Sequence, residues 1–198
     1  MIKAELVKEL RERTGSGIMD CKKALQETDG DLEKAVIHLR EQGLAVAAKK
    51  AGRVTKEGKI DAYIHAGGKL GVLIEINCET DFVAKTDDYQ CLCRELAMQV
   101  AASNPLYVDR TDVPQERIDV EKSILETQAK NEGKPEKIIE KIVTGRMNKF
   151  YQETCLLEQP YIRDPDRTTK DLINEYIAKL GENIVVRRFC RFELGEEG

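Results

Sequence analysis

From Leu70 to Cys78 the chain alternates. Leu70, Val72, Ile74, Ile76 and Cys78 fall on one side of an extended backbone, and Gly71, Leu73, Glu75 and Asn77 fall on the other. Successive side chains of a strand point to opposite faces, so this period of two predicts a β-strand with one covered face. The pattern then breaks. Glu79, Thr80 and Asp81 are polar, and Phe82 and Val83 follow before the next helical pattern begins. An aromatic side chain between acidic and small residues at a strand end is poorly placed for a core. Functional groups gather on loops held by rigid scaffolds. Thr80-Asp81-Phe82-Val83 is therefore the candidate working tip of the chain.

The segment before this strand reads as three short helices. Ile2, Leu6, Val7 and Leu10 recur at helical spacing up to about Arg13, and Gly15 stops the pattern. Gly15-Ser16-Gly17 is a tight turn, and a second helix follows with Ile18, Cys21 and Leu25 expected inward. Asp29-Gly30-Asp31 interrupts it, and Asp31 is placed to cap a third helix. Leu32, Ala35, Val36 and Leu39 share one face of that helix, which is expected to end at Gly43. So short a bundle buries little surface by itself. Its size and pattern are those of a UBA-like module, a kind that docks on partners through a turn and a helix face. Leu44 to Lys59 is rich in alanine and basic residues and reads as a helical or extended basic linker, a solvated hinge without the interleaved aromatics that stack on nucleic-acid bases. Residues 1–54 are thus expected to form the module and its linker, and residues 55–198 a second domain.

In the second domain Ile60, Ala62 and Ile64 alternate as a strand. Gly67-Gly68 stands where a two-residue hairpin turn belongs, and the Leu70 strand returns. Beyond the tip a helix starts at Thr86 or Asp87, carries Tyr89, Leu92, Cys93, Leu96 and Val100 on its core face, and ends at Asn104-Pro105. Val113-Pro114 opens another helix, and Gly133-Lys134-Pro135 separates it from a long one bearing Ile139, Ile142, Val143, Met147, Phe150 and Tyr151. These two make a helical hairpin at about 114–157 that projects from the sheet. Asp164-Pro165-Asp166 reads as a turn. Leu172, Ile173, Tyr176, Ile177 and Leu180 mark an amphipathic helix closed by Gly181, and Asn183 to Leu194 is the last strand. The fold class is α+β: a three-helix module, then an antiparallel sheet core with packed helices.

A net charge of −4 supplies no global field that would favour direct nucleic-acid binding. No apolar run approaches membrane length, and none follows Met1-Ile2-Lys3-Ala4-Glu5, so neither membrane nor export is expected and the cytoplasm is. Cys21, Cys78, Cys91, Cys93, Cys155 and Cys190 contain no C-x-x-C pair, and only His38 and His65 could assist them. Neither a metal site nor a cofactor is expected. Gly15-Ser16-Gly17 lacks the preceding strand and third glycine of a dinucleotide fingerprint, and Gly67-Gly68-Lys69 lacks the rest of a phosphate loop. No residue is nominated as catalytic, and the chain reads as a binding protein rather than an enzyme.

Two long stretches carry a resemblance. Leu10-Arg11-Glu12-Arg13-Thr14-Gly15-Ser16-Gly17-Ile18-Met19-Asp20-Cys21-Lys22-Lys23-Ala24-Leu25 resembles the N-terminal signature of translation elongation factor Ts. Glu75-Ile76-Asn77-Cys78-Glu79-Thr80-Asp81-Phe82-Val83-Ala84 resembles the second signature of that family. Their order and spacing agree with it, as do Ala47-Ala48-Lys49-Lys50-Ala51 between them and Gly181-Glu182-Asn183-Ile184-Val185-Val186-Arg187-Arg188 near the end. Family members often have alanine where Ser16 stands and methionine where Ile18 stands. Many bacterial members also carry a doubled core domain, whereas this chain holds a single copy.

The resemblance implies guanine-nucleotide exchange on elongation factor Tu, in which the protein binds the GDP form, displaces Mg²⁺ and promotes GDP release. It implies that Thr80, Asp81, Phe82 and Val83 dislodge the magnesium ion of the GTPase, with Phe82 entering a pocket near it. It also implies that Arg11, Ile18 and Met19 dock on the GTPase. The residues alone leave open a plainer reading, a UBA-like adaptor that holds a partner without exchange, and Phe82 and Met19 as ordinary core. A homodimer through the C-terminal strand is a further expectation. Ile184, Val185, Val186, Phe189, Cys190 and Phe192 make that strand apolar on both faces, and a free edge invites pairing. Two antiparallel copies would bring Cys190 close to its own copy, making it the candidate for an inter-subunit disulfide, with a free thiol in a reducing cytosol as the plain alternative.

Overall fold

The computed structural model describes residues 2–196. In chain order the elements are α1 (Ala4–Thr14), α2 (Ile18–Glu27), α3 (Leu32–Lys50), β1 (Glu57–Ile64), β2 (Leu70–Cys78) and α4 (Asp81–Ala84). They continue with α5 (Asp87–Ser103), α6 (Gln115–Asn131), α7 (Glu136–Thr154), β3 (Pro160–Tyr161), β4 (Asp164–Thr168), α8 (Thr169–Leu180) and β5 (Val185–Glu193). The architecture is α+β. The chain divides into two compact units. One comprises Met1–Lys59, Ile76–Leu92 and Asp171–Val185, and the other Ile60–Glu75, Cys93–Lys170 and Val186–Gly198.

In the first unit α1, α2 and α3 enclose Leu10, Cys21, Ala24, Leu25, Ala35 and Leu39. Gly15 closes α1 at φ 65°, a left-handed position that a residue without Cβ adopts at little cost, and its N–H bonds the Arg11 carbonyl at 2.8 Å. Asp31 caps α3, accepting from the Lys34 N–H at 3.0 Å. The third helix does not end at Gly43 as expected but runs to Lys50. A single glycine costs a helix only about 1 kcal/mol, and Ala45, Ala47 and Ala48 beyond it are the best helix formers. The first part of the expected linker, Leu44 to Lys50, is therefore helix, and its last residues, Glu57 to Lys59, belong to β1.

The sheet has the order β1-β2-β5, with β2 in the centre. β2 buries Val72, Ile74, Ile76 and Cys78, as its alternation requires. Its hairpin with β1 turns over residues 65–69, closed by a bond of 2.9 Å from the His65 N–H to the Leu70 carbonyl, rather than over the two glycines alone. On the other side the Leu194 N–H reaches the Lys69 carbonyl at 2.8 Å and Arg188 meets Glu75 at 2.8 Å. β5 therefore runs antiparallel to β2. β1 presents its apolar residues outward: Ile60 and Ile64 are exposed, and Ile64 lies over Gly71, which has no Cβ to obstruct it. The opposite face is taken by long polar chains, with Lys59 bonded to Gln90 and the Tyr63 ring under the Arg94 guanidinium at 4.6 Å.

In the second unit α6 and α7 form the helical hairpin around Val113, Leu125, Ala129, Ile139, Val143, Met147, Phe150 and Cys155. Asp164-Pro165-Asp166, expected to be a turn, opens β4, which pairs antiparallel with β3. This ribbon has no apolar alternation to announce it, and a proline is tolerated on an edge strand.

Candidate functional site

The tip begins where β2 ends. Thr80 has the extended backbone of a helix cap, φ −130° and ψ 154°, and its hydroxyl oxygen accepts from the Val83 N–H at 3.4 Å. That cap starts the single helical turn α4, which the sequence pattern did not reveal. The Thr80 hydroxyl donates to Glu182 Oε1 at 2.6 Å, while the N–H groups of Glu79 and Thr80 both donate to Glu182 Oε2 at 3.0 Å. In return the Asn183 N–H donates to Glu79 Oε1 at 2.7 Å. At the far end the Thr86 hydroxyl bonds the Val83 carbonyl at 2.8 Å, and Ala84 is buried. Behind the strand the Tyr89 hydroxyl donates to the Ile76 carbonyl at 2.6 Å.

On this fixed turn Phe82 is 79% exposed, whereas Val83 is half-buried. A core role for Phe82 is thereby removed. Asp81 bonds Lys85 at 2.6 Å, and the Lys85 ammonium holds its carboxyl below the ordinary aspartate range. The turn thus offers a hydrophobic projection flanked by a paired charge.

Ile18 and Met19 open α2 and are 56% and 73% exposed. The expectation of an inward Ile18 is corrected. Cys21 and Leu25 do fill the core, but Ile18 stands at the first helical position beside Gly15-Ser16-Gly17, a turn with no apolar side chain to cover it. Met19 is likewise not core. Arg11 is exposed on α1. Arg11, Ile18, Met19, Thr80, Asp81, Phe82 and Val83 all belong to the first unit, far apart in sequence though they are. Cys190 belongs to the other unit, a free and exposed thiol on β5.

The sequence reading missed Asp171, Lys179, Glu182 and Asn183 as supports. Arg40 meets Asp171 at 2.8 Å, Lys179 meets Asp88 at 2.7 Å, and Lys50 bonds the Gly181 carbonyl at 2.5 Å. Asn183, only 3% exposed, donates its amide to the Arg53 carbonyl at 2.9 Å and the Ala51 carbonyl at 3.4 Å. The one signal available was a pair of polar residues interrupting the apolar pattern between Leu180 and Ile184. Among the described residues no helix is long and apolar enough to cross a membrane, and no three His, Cys, Asp or Glu side chains are grouped to hold a metal ion.

Comparison with known proteins adds a second line of observation. The family model described as Elongation factor TS matches residues 5–196. The elongation factor Ts of Moorella thermoacetica is 67% identical over 196 residues, spanning 99% of this chain and 97% of that protein. Those of Thermoanaerobacter pseudethanolicus and Heliobacterium modesticaldum are each 65% identical over 196 residues, spanning 99% of this chain and 96% and 91% of their own.

Proposed function

The chain belongs to the elongation factor Ts family, and from that premise we propose that it is a guanine-nucleotide exchange factor for elongation factor Tu. The observation that carries this reading is Phe82, exposed at the end of a turn that is bonded from both sides. A nucleotide held at nanomolar strength is bound by about −12 kcal/mol, so it leaves slowly unaided. Release requires no bond chemistry. It requires a protein that prefers the nucleotide-free state, since a partner shifts an equilibrium only by differential affinity.

In this reading Arg11, Ile18 and Met19 dock on the GTPase, and Thr80, Asp81, Phe82 and Val83 disturb the magnesium ion held there with the nucleotide. Magnesium demands near-ideal octahedral geometry, so a small shift of its ligands weakens it steeply. A rigid ring with two rotatable bonds suits that task, because little conformational freedom is lost on insertion. Asp81 arrives paired with Lys85, so the tip adds little net charge beside the phosphates. Residues 1–54 serve docking, and residues 55–198 carry the wedge and a dimer surface. The working form is a homodimer in the cytoplasm. Supporting the dimer are the edge position of β5 and the apolar side chains Phe192, 68% exposed, and exposed Ile60, Ile64 and Leu73.

Fluorescent GDP pre-bound to elongation factor Tu tests the reading. Catalytic amounts of this protein should accelerate its release strongly in excess unlabelled nucleotide. An adaptor that binds the GTPase without exchange would leave the release rate unchanged.

A further inference from the structure

The structure assigns Glu182 as a positioning residue for the exchange tip. This inference rests on the exchange reading above and adds to it the group that sets the wedge. One carboxylate receives three donors from the tip: the Glu79 and Thr80 N–H groups at 3.0 Å and the Thr80 hydroxyl at 2.6 Å. Hydrogen bonds to an ionised acceptor are roughly twice as strong as neutral ones. The Thr80 hydroxyl is also the cap of α4, so the proton it gives to Glu182 leaves its oxygen lone pairs facing the Val83 N–H at 3.4 Å. A chain of bonds thus runs from Glu182 through Thr80 to the turn that presents Phe82.

Glu182 is itself anchored. The next residue, Asn183, donates its N–H to Glu79 Oε1 at 2.7 Å, closing a reciprocal pair between residues 79–80 and 182–183. The Asn183 amide bonds the Arg53 carbonyl, just beyond α3, at 2.9 Å, and the Gly181 carbonyl takes Nζ of Lys50, the last residue of α3, at 2.5 Å. Arg53 approaches Glu79 Oε1 at 3.6 Å. The pair therefore ties the backbone beyond α3 to the wedge turn. Glu182 touches no substrate in this scheme and acts only through Thr80.

Reach and charge can be separated. Glu182→Asp keeps the charge but withdraws the carboxylate by one bond, about 1.5 Å. Glu182→Gln keeps the reach and one acceptor oxygen, and the Thr80 hydroxyl can turn to accept from the new amide. The expected result with fluorescent-GDP-loaded elongation factor Tu is a maximal stimulated release rate lowered roughly tenfold or more in Glu182→Asp, since misplacement of about an ångström can cost up to about a hundredfold. The half-saturating concentration should move by less than about twofold, because docking is untouched. Glu182→Gln should stay within about threefold of wild type. In a Phe82→Ala background Glu182→Asp should have no further effect.

Amide hydrogen exchange over residues 79–84 should quicken in Glu182→Asp with protection elsewhere unchanged. A Glu182→Asp protein with wild-type release and wild-type protection overturns the assignment, as does a Glu182→Gln protein as impaired as Glu182→Asp. If wild type fails to speed GDP release, the exchange reading falls, while amide protection at the tip still decides whether Glu182 positions it.

Discussion

The Asn183 side-chain amide donates to the Arg53 carbonyl at 2.9 Å, joining the start of the last strand segment to the backbone just beyond the first three helices. Asn183 is almost completely buried, whereas Ala51 and Arg53 are exposed, so removing the amide loses its two hydrogen bonds while water can still reach the acceptors. The net loss of a hydrogen bond costs about 0.5–1.5 kcal/mol. Asn183→Ala should lower the unfolding free energy by that amount in a urea titration read by circular dichroism. A chain cut to begin at Thr55 loses the same acceptors, together with Lys50, and should be destabilised further as well as binding elongation factor Tu poorly. Undiminished stability of Asn183→Ala would show that these bonds are replaced by water without loss.

Gly58 is a second point of sensitivity. Its φ is 145°, and an added Cβ would press on the Ile76 carbonyl and lie 2.7 Å from Asn77 Cα. Both obstacles are backbone in the central strand, so neither can swing aside. Gly58→Ala should cost about 1–3 kcal/mol, the range of overpacked sites. Thermal unfolding would check it. An unchanged midpoint would mean that β1 shifts without loss.

How much of this was legible in the sequence follows from what each pattern can encode. The period of two in Val72, Ile74, Ile76 and Cys78 and the helical spacing of Tyr89, Leu92, Leu96 and Val100 identified a covered strand and a buried helix face correctly. The same period in Ile60, Ala62 and Ile64 defined two faces but not which one faces water, and there it is the apolar face. The exposure of Phe82 was legible because a hydrophobic residue stood where the pattern stopped. The Thr80–Glu182 bonds were not, because their partners lie 102 residues apart and no local periodicity links them. The run of α3 past Gly43 was missed by giving one glycine more weight than the alanines beyond it.

Acid should weaken the protein in a defined direction. The Lys34 N–H and ammonium hold the Asp31 carboxyl below the ordinary range, and Lys85 does the same for Asp81. A carboxyl whose folded pKa is depressed stabilises the protein above its unfolded pKa, and that contribution is lost as pH falls through the folded value. The denaturation midpoint should therefore drop between about pH 5 and pH 2. Asp31→Asn, which retains a capping oxygen but no charge, should show a shallower drop. An identical acid profile would remove Asp31 from the account.

Sedimentation at micromolar concentration tests the dimer. Wild type should run as a dimer, and Phe192→Glu, which sets a charge on the exposed apolar face, should shift it toward monomer. Reductant distinguishes the role of Cys190: a dimer that survives reduction keeps the surface and discards the disulfide. A monomer with and without reductant contradicts the dimer.

In the proposed function an exposed aromatic on a fixed turn drives nucleotide release. Stimulated release of fluorescent GDP from elongation factor Tu, compared between wild type and Phe82→Ala, tests it most directly. Loss of an aromatic anchor at a contact commonly costs about 2 kcal/mol, so the stimulated rate should fall roughly thirtyfold, with circular dichroism and unfolding unchanged. A Phe82→Ala protein that folds normally and releases GDP as fast as wild type would contradict the account.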